Sequence, residues 1–145
     1  MQTYSHSHKG VAYTIVVKED WRSTDIIEHT DFNRIESNTA IVRAYLISLQ
    51  YQIATMAHVS NRTQSYIDYL AGINRIEANL ETIRTSFATP PGYLPGKVWT
   101  LRKGFDFTDA NRLERDLRIL FEAAYQVYQS FKYCGTFSAG EEGLL

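Results

Sequence analysis

A single cysteine, Cys134, stands among 145 residues, so no internal disulfide is possible and the hydrophobic core must carry the stability. Charge of one sign is missing as well: 15 lysines and arginines face 16 aspartates and glutamates, for a net charge of -1. Without a basic excess to neutralise phosphates, nucleic acid is not an expected partner. No apolar run approaches the roughly 20 residues of a membrane span, and no charged-then-apolar leader opens the chain, so neither a membrane nor a secretory route is expected. The sequon Asn61-Arg62-Thr63 then reads as coincidental.

Helix breakers are few and clustered. All three prolines (Pro90, Pro91, Pro95) fall within six residues, and of the eight glycines only Gly72 interrupts a long segment. The stretches left between the clusters, about 31 to 87 and 108 to 131, are too long for strands. Apolar residues recur in steps of three and four along three series: Phe32 to Met56, Tyr66 to Phe87 and Ala110 to Phe131. This spacing predicts helices over about 31–57, 61–87 and 108–131, with 88–107 as a packed Pro/Gly-rich linker. The expected fold is all-α: an elongated three-helix bundle over 30–132, with an internal repeat and short extended terminal arms at 1–29 and 133–145. Extra apolar positions beside the seams, among them Ile41, Tyr45 and Phe121, fit helices that touch more than one neighbour. Val11 to Val17 is β-branched and aromatic enough for a strand, to be paired with Thr136–Ala139 or with a neighbouring subunit.

The most specific feature is a repeat. Trp21 precedes Thr30-Asp31-Phe32-Asn33-Arg34-Ile35-Glu36, and 78 residues later Trp99 precedes Thr108-Asp109-Ala110-Asn111-Arg112-Leu113-Glu114. A fragment, Ile73-Asn74-Arg75-Ile76-Glu77, lacks the tryptophan and the Thr-Asp, which leaves two full copies and one partial one. Read physically, Thr30 and Thr108 cap helices, Asp31 and Asp109 meet the positive helix end, and Asn33 and Asn111 reach back to the cap. The tryptophan then folds over the helix start near Arg34 or Arg112. A ligand or catalytic cluster of Asn, Arg and Glu is the competing reading.

Signatures of chemistry are few. Gly92-Tyr93-Leu94-Pro95-Gly96-Lys97 is one residue short of a phosphate loop, and no Glu-x-x-His pair offers a di-iron site. His6 and His8 read as solvated residues of an N-terminal arm, His29 and His58 as helix-boundary residues, and Cys134 as an inert thiol. No catalytic group, metal or cofactor is expected.

The phrase Thr30–Glu36 with its upstream tryptophan, its second instance Phe107–Glu114, the run Asn61-Arg62-Thr63-Gln64 and the segment from Phe131 to Gly140 resemble segments of minor tail and baseplate-associated structural proteins of tailed phages and prophages of Gram-positive bacteria. The resemblance covers most of the chain from Trp21 onward. It implies a non-enzymatic virion component of the tail, baseplate or neck, assembled in the host bacterial cytoplasm in several copies. Its partners would be other virion structural proteins and further copies of itself, with neither nucleic acid nor membrane. On this reading the arm bearing Val11, Tyr13, Ile15 and Val17 docks onto an adjacent subunit, and deleting residues 1–19 is expected to leave the domain folded but to impair assembly. The alternative is a host-surface or saccharide-binding module at the tail tip, with Trp21, Trp99 and Tyr93 as solvent-open stacking platforms.

Overall fold

A computed structural model describes residues 1–65 and 69–133. In chain order the elements are β1 (Gln2–His8), β2 (Val11–Val17), α1 (His29–Ser48), α2 (Tyr69–Ser86) and α3 (Phe107–Tyr133). The all-α expectation is therefore corrected: three helices are accompanied by an antiparallel two-stranded hairpin, giving a small mixed α/β domain.

The hairpin turns on Lys9 and Gly10, with φ of 50° and 81°. Two left-handed residues in a two-residue loop match the right-handed twist of the flanking strands. The predicted strand over 11–17 is present, but its partner is Gln2–His8, in the register Gln2↔Val17 to His8↔Val11. Thr136–Ala139, like Cys134 and Leu144-Leu145, lies outside the described residues. Alternation puts Tyr4, His6, Tyr13, Ile15 and Val17 on the face toward the helices, and Ile15 and Val17 are completely buried. The N-terminal arm is thus part of the core. His6 stacks on Tyr125 at 4.0 Å between ring centres and its Nε2 lies 2.8 Å from Glu122, while His8 is buried edge-on against Tyr128.

Of the three predicted helices, only α3 matches within about two residues. α1 stops at Ser48 although the apolar spacing runs on to Met56, and the reason is local. The Tyr51 N–H reaches back to the Leu46 carbonyl and the Gln50 N–H to that of Ile47, a Schellman stop that requires one left-handed residue. Gln50 fills that position with φ 79°, where glycine is usual. Leu49 and Ile53 still enter the core, from an irregular segment rather than a helix. α2 is described from Tyr69, and residues 61–65 are not helical, so they belong to a crossover and Ser60 or Asn61 is not its cap.

All three helices run in the same direction. Arg34 of α1 meets Glu114 of α3 near their starts, and Tyr45 meets Phe121 two to three turns later, with ring centres 5.1 Å apart. At the other end, Tyr51 just beyond α1 packs edge-on against Phe87 just beyond α2, at 5.0 Å. Parallel neighbours need long return connections, and the irregular segments within 49–65 and 87–106 serve them. The buried core gathers Ile35, Val42 and Leu46 of α1, Ile76, Leu80 and Ile83 of α2, and Leu113, Leu117, Leu120 and Phe121 of α3.

Candidate functional site

Each helix carries one Asn-Arg-x-Glu motif near its start: Asn33 to Glu36, Asn74 to Glu77, and Asn111 to Glu114. The motif on α2, the partial copy of the sequence, is structurally complete. Each asparagine grips one residue of a crossover by its main chain. The Asn111 side chain accepts the Trp21 N–H at 2.8 Å and donates to the Trp21 carbonyl at 3.0 Å. Asn74 does the same to Trp99 at 2.7 and 3.0 Å, and Asn33 to Arg62 at 3.0 Å for both bonds. A primary amide offers an acceptor and a donor side by side, so it completes a peptide unit as a neighbouring strand would.

The glutamate three residues on receives the side chain of the gripped residue. The Trp21 indole N–H donates to Glu114 at 2.5 Å, the Trp99 indole N–H donates to Glu77 at 2.8 Å, and the Arg62 guanidinium donates to Glu36. Each glutamate also takes the arginine of the next motif. Arg34 reaches Glu114 at 2.8 Å, Arg75 reaches Glu36 at 2.7 Å and Arg112 reaches Glu77 at 2.5 Å. The three pairs close a ring, α1 to α3 to α2 to α1. Trp21, Arg62 and Trp99 each stand twelve positions ahead of the asparagine on the helix that follows them, so the chain is a three-fold repeat with arginine replacing tryptophan once.

A further tier lies two residues beyond each glutamate. Asn38 of α1 donates to the Val16 carbonyl at 2.7 Å and accepts its N–H at 3.4 Å. Asn79 of α2 donates to the Ala57 carbonyl at 2.9 Å, and Asp116 of α3 accepts the Leu94 N–H at 2.9 Å. Val16, Ala57 and Leu94 each precede the gripped residue by five. Every crossover therefore lies in a groove between two helices, held by one helix through the first tier and by another through the second.

Electrostatics explain why the ring is complete. Glu36 and Glu114 are fully buried and Glu77 nearly so, and a buried carboxylate is tolerable only when paired and fully hydrogen-bonded. Glu114 collects the Lys18 N–H, the Trp21 indole and two Arg34 nitrogens. Burial still pushes its carboxyl upward against the lowering pull of the indole and guanidinium. Burial opposes the charge on Arg34 and Arg112, yet Glu114 and Glu77 hold both above the usual arginine range. Asp116 is different: buried, with no hydrogen-bond partner on Oδ2, it is pushed up to about 7 by desolvation.

The predicted motif residues are thus brought together, but in other roles. The helix caps are Glu28 and Asp106, two residues before Thr30 and Thr108. Asp31 and Asp109 complete them by accepting the Glu28 and Asp106 N–H groups at 2.8 and 3.2 Å. Asn33 and Asn111 bind crossovers rather than their own caps. Each tryptophan answers to a different helix from the one it precedes, and Trp21 shares Glu114 with Arg34. Arg62 escaped the sequence reading, although its position twelve residues before Asn74 carried the signal.

The geometry also closes two of the three proposed stacking platforms, the tryptophans, and leaves Tyr93 half-buried. Trp21 and Trp99 are each 5% exposed, and an ammonium covers each ring, Lys18 at 4.8 Å and Lys97 at 5.5 Å from the ring centre. Intrinsic fluorescence should consequently be blue-shifted and nearly insensitive to iodide until denaturant is added. Strong quenching of the native protein would contradict the buried indoles.

Among the described residues, no cluster of three or more His, Cys, Asp or Glu side chains is placed to hold a metal ion, and no helix is long and apolar enough to cross a membrane. A groove of about 610 Å³ runs between α2 and the 89–98 crossover, bordered by Glu81, Arg84, Tyr93, Lys97 and Val98. Its charged rim is engaged within the molecule, Arg84 with Glu81 and Lys97 with Asp109. Compared with family models, curated proteins and solved structures, the chain matches none of them.

Proposed function

We propose that this protein is a non-enzymatic structural component of a tailed-phage virion, present in several copies in the tail, baseplate or neck and contacting other virion proteins and further copies of itself. It would assemble in the cytoplasm of the bacterial host. The sequence resemblance supplies the virion context. The observation that carries the reading is that the most distinctive polar residues, all three Asn-Arg-x-Glu motifs, are engaged within the molecule, where they lock parallel helices and crossovers into one rigid body.

The outer surface suits protein contacts. At the end where the helices begin, each entry exposes large apolar side chains, among them Ile26 before α1, Tyr69 at the start of α2 and Leu101 before α3, at 79%, 60% and 91% exposure. Exposed apolar side chains gathered at one end favour docking onto another protein. Val11, Tyr13, Ile15 and Val17 do not form a free docking arm in this scheme, because Ile15 and Val17 are already buried in their own chain.

An epitope-tagged copy encoded in the parent phage or prophage tests the reading. Immunogold electron microscopy of purified particles should place several labels at the tail, baseplate or neck. Particles devoid of the tagged chain, from lysates rich in it, would refute the proposal.

A further inference from the structure

The three-fold repeat exposes one chemical exception. At the second-tier position, two repeats carry asparagine, Asn38 and Asn79, and the third carries Asp116. The asparagines donate to a crossover carbonyl, Val16 or Ala57. Asp116 occupies the equivalent place against Leu94, accepts the Leu94 N–H at 2.9 Å on Oδ1, and is completely buried with no hydrogen-bond partner on Oδ2.

We propose that Asp116 is a neutral carboxylic acid that imitates asparagine, its Oδ2–H donating to the Leu94 carbonyl, and that its ionisation releases the Tyr93–Trp99 crossover from α3. A protonated carboxyl has one acceptor and one donor on adjacent oxygens, the same pair of functions an amide side chain presents. The ionised form has acceptors only and would face the carbonyl with a second lone pair.

The surroundings do not offset that charge. On α3, Arg112 Nη1 is 4.0 Å from Asp116 Oδ2, beyond hydrogen-bond reach, because its two terminal nitrogens are turned to Glu77. Arg115, also on α3, lowers the Asp116 carboxyl least of the groups around it. From α2, Glu77 adds a like charge, and from the crossover the half-buried Tyr93 contributes only a phenol whose own ionisation burial suppresses. The Asn38 and Asn79 clamps have no titrating group, so at this tier only the Leu94 clamp would answer to pH. Its release would widen the groove between α2 and Tyr93–Val98.

A carboxyl raised in the folded state stabilises the clamp fully below its unfolded value and loses that contribution as pH rises through the folded one. Hydrogen exchange of the full-length protein reads this directly at the Leu94 amide. After correction for intrinsic exchange, protection should fall about tenfold per pH unit between about pH 4 and pH 7, then level off. The Val16 amide, clamped by Asn38, should not follow. In D116N the Leu94 profile should be flat, with protection at pH 8 above that of the parent. Carboxyl ¹³C titration of the unmodified protein gives a second readout that needs no variant. An Asp116 that titrates near the ordinary aspartate value, or a D116N protein that keeps the parent's pH slope, would overturn the proposal.

Discussion

A chain lacking residues 1–19 should fail to fold cooperatively. The hairpin delivers Ile15 and Val17 into the space between α1 and α3 at zero exposure, and burying each such side chain contributes about 1.5–3 kcal/mol. Those two alone approach the lower end of the about 5–15 kcal/mol that holds a whole domain together. The deletion also removes His6 and Tyr13 from the aromatic cluster around Tyr45, the Lys18 N–H from Glu114 and the Glu19 carboxylate from Arg118. Asn38 would be left without its peptide partner at Val16. Urea unfolding followed by circular dichroism should show the truncated chain with no native baseline. A graded control, Ile15→Ala, should remain folded but lose about 2–5 kcal/mol. A truncated protein that unfolds at the parent's midpoint with the parent's slope would show that the hairpin is an appendage after all.

That the hairpin belongs to the core was only half legible in the sequence. Val11 to Val17 has the composition of a strand, and it is one. Its partner, Gln-Thr-Tyr-Ser-His-Ser-His, has no aliphatic residue: its inward positions are Tyr4, His6 and His8, and the two histidines pack on Tyr125, Tyr128 and Glu122 of α3. A hydropathy pattern does not register that kind of burial. The end of α1 was hidden for a comparable reason: the chain turns at Gln50 without the glycine that normally announces a left-handed residue, while Leu49 and Ile53 remain in the core and prolong the apolar spacing.

The repeat runs deeper in the sequence than identity of residues reveals. The 78-residue offset marks two copies because both contain tryptophan, yet the physical requirement at that position is a long side chain with an N–H donor for a buried glutamate. Arg62 meets it toward Glu36 as the indoles meet it toward Glu77 and Glu114. Chemical equivalence without identity concealed the third copy. The parallel direction of the helices was not legible at all, since apolar spacing is indifferent to direction. It follows from the Arg-to-Glu pairs, which join three helix starts to one another.

Breaking the ring at one carboxylate should therefore be among the most damaging single changes available to this chain. Glu114→Ala removes the acceptor for the Trp21 indole, the Lys18 N–H and the Arg34 guanidinium at once, in a site with no exposure. Removing one partner of a buried ion pair costs about 3–5 kcal/mol, because the surviving charge stays desolvated. Arg34 would keep Asp31 at 2.8 Å, and Asn111 would still hold the Trp21 main chain, so the expected loss falls within that range rather than above it. Glu114→Gln keeps one oxygen and the shape but surrenders the charge, so it should cost less than alanine. The double variant Glu114→Ala with Arg34→Met should recover part of the loss, since replacing both partners removes the stranded charge. Denaturant unfolding of the parent, Glu114→Ala, Arg34→Met and the double variant forms a double-mutant cycle. If Glu114→Ala lies within about 0.5 kcal/mol of the parent, the ring does not hold these helices together.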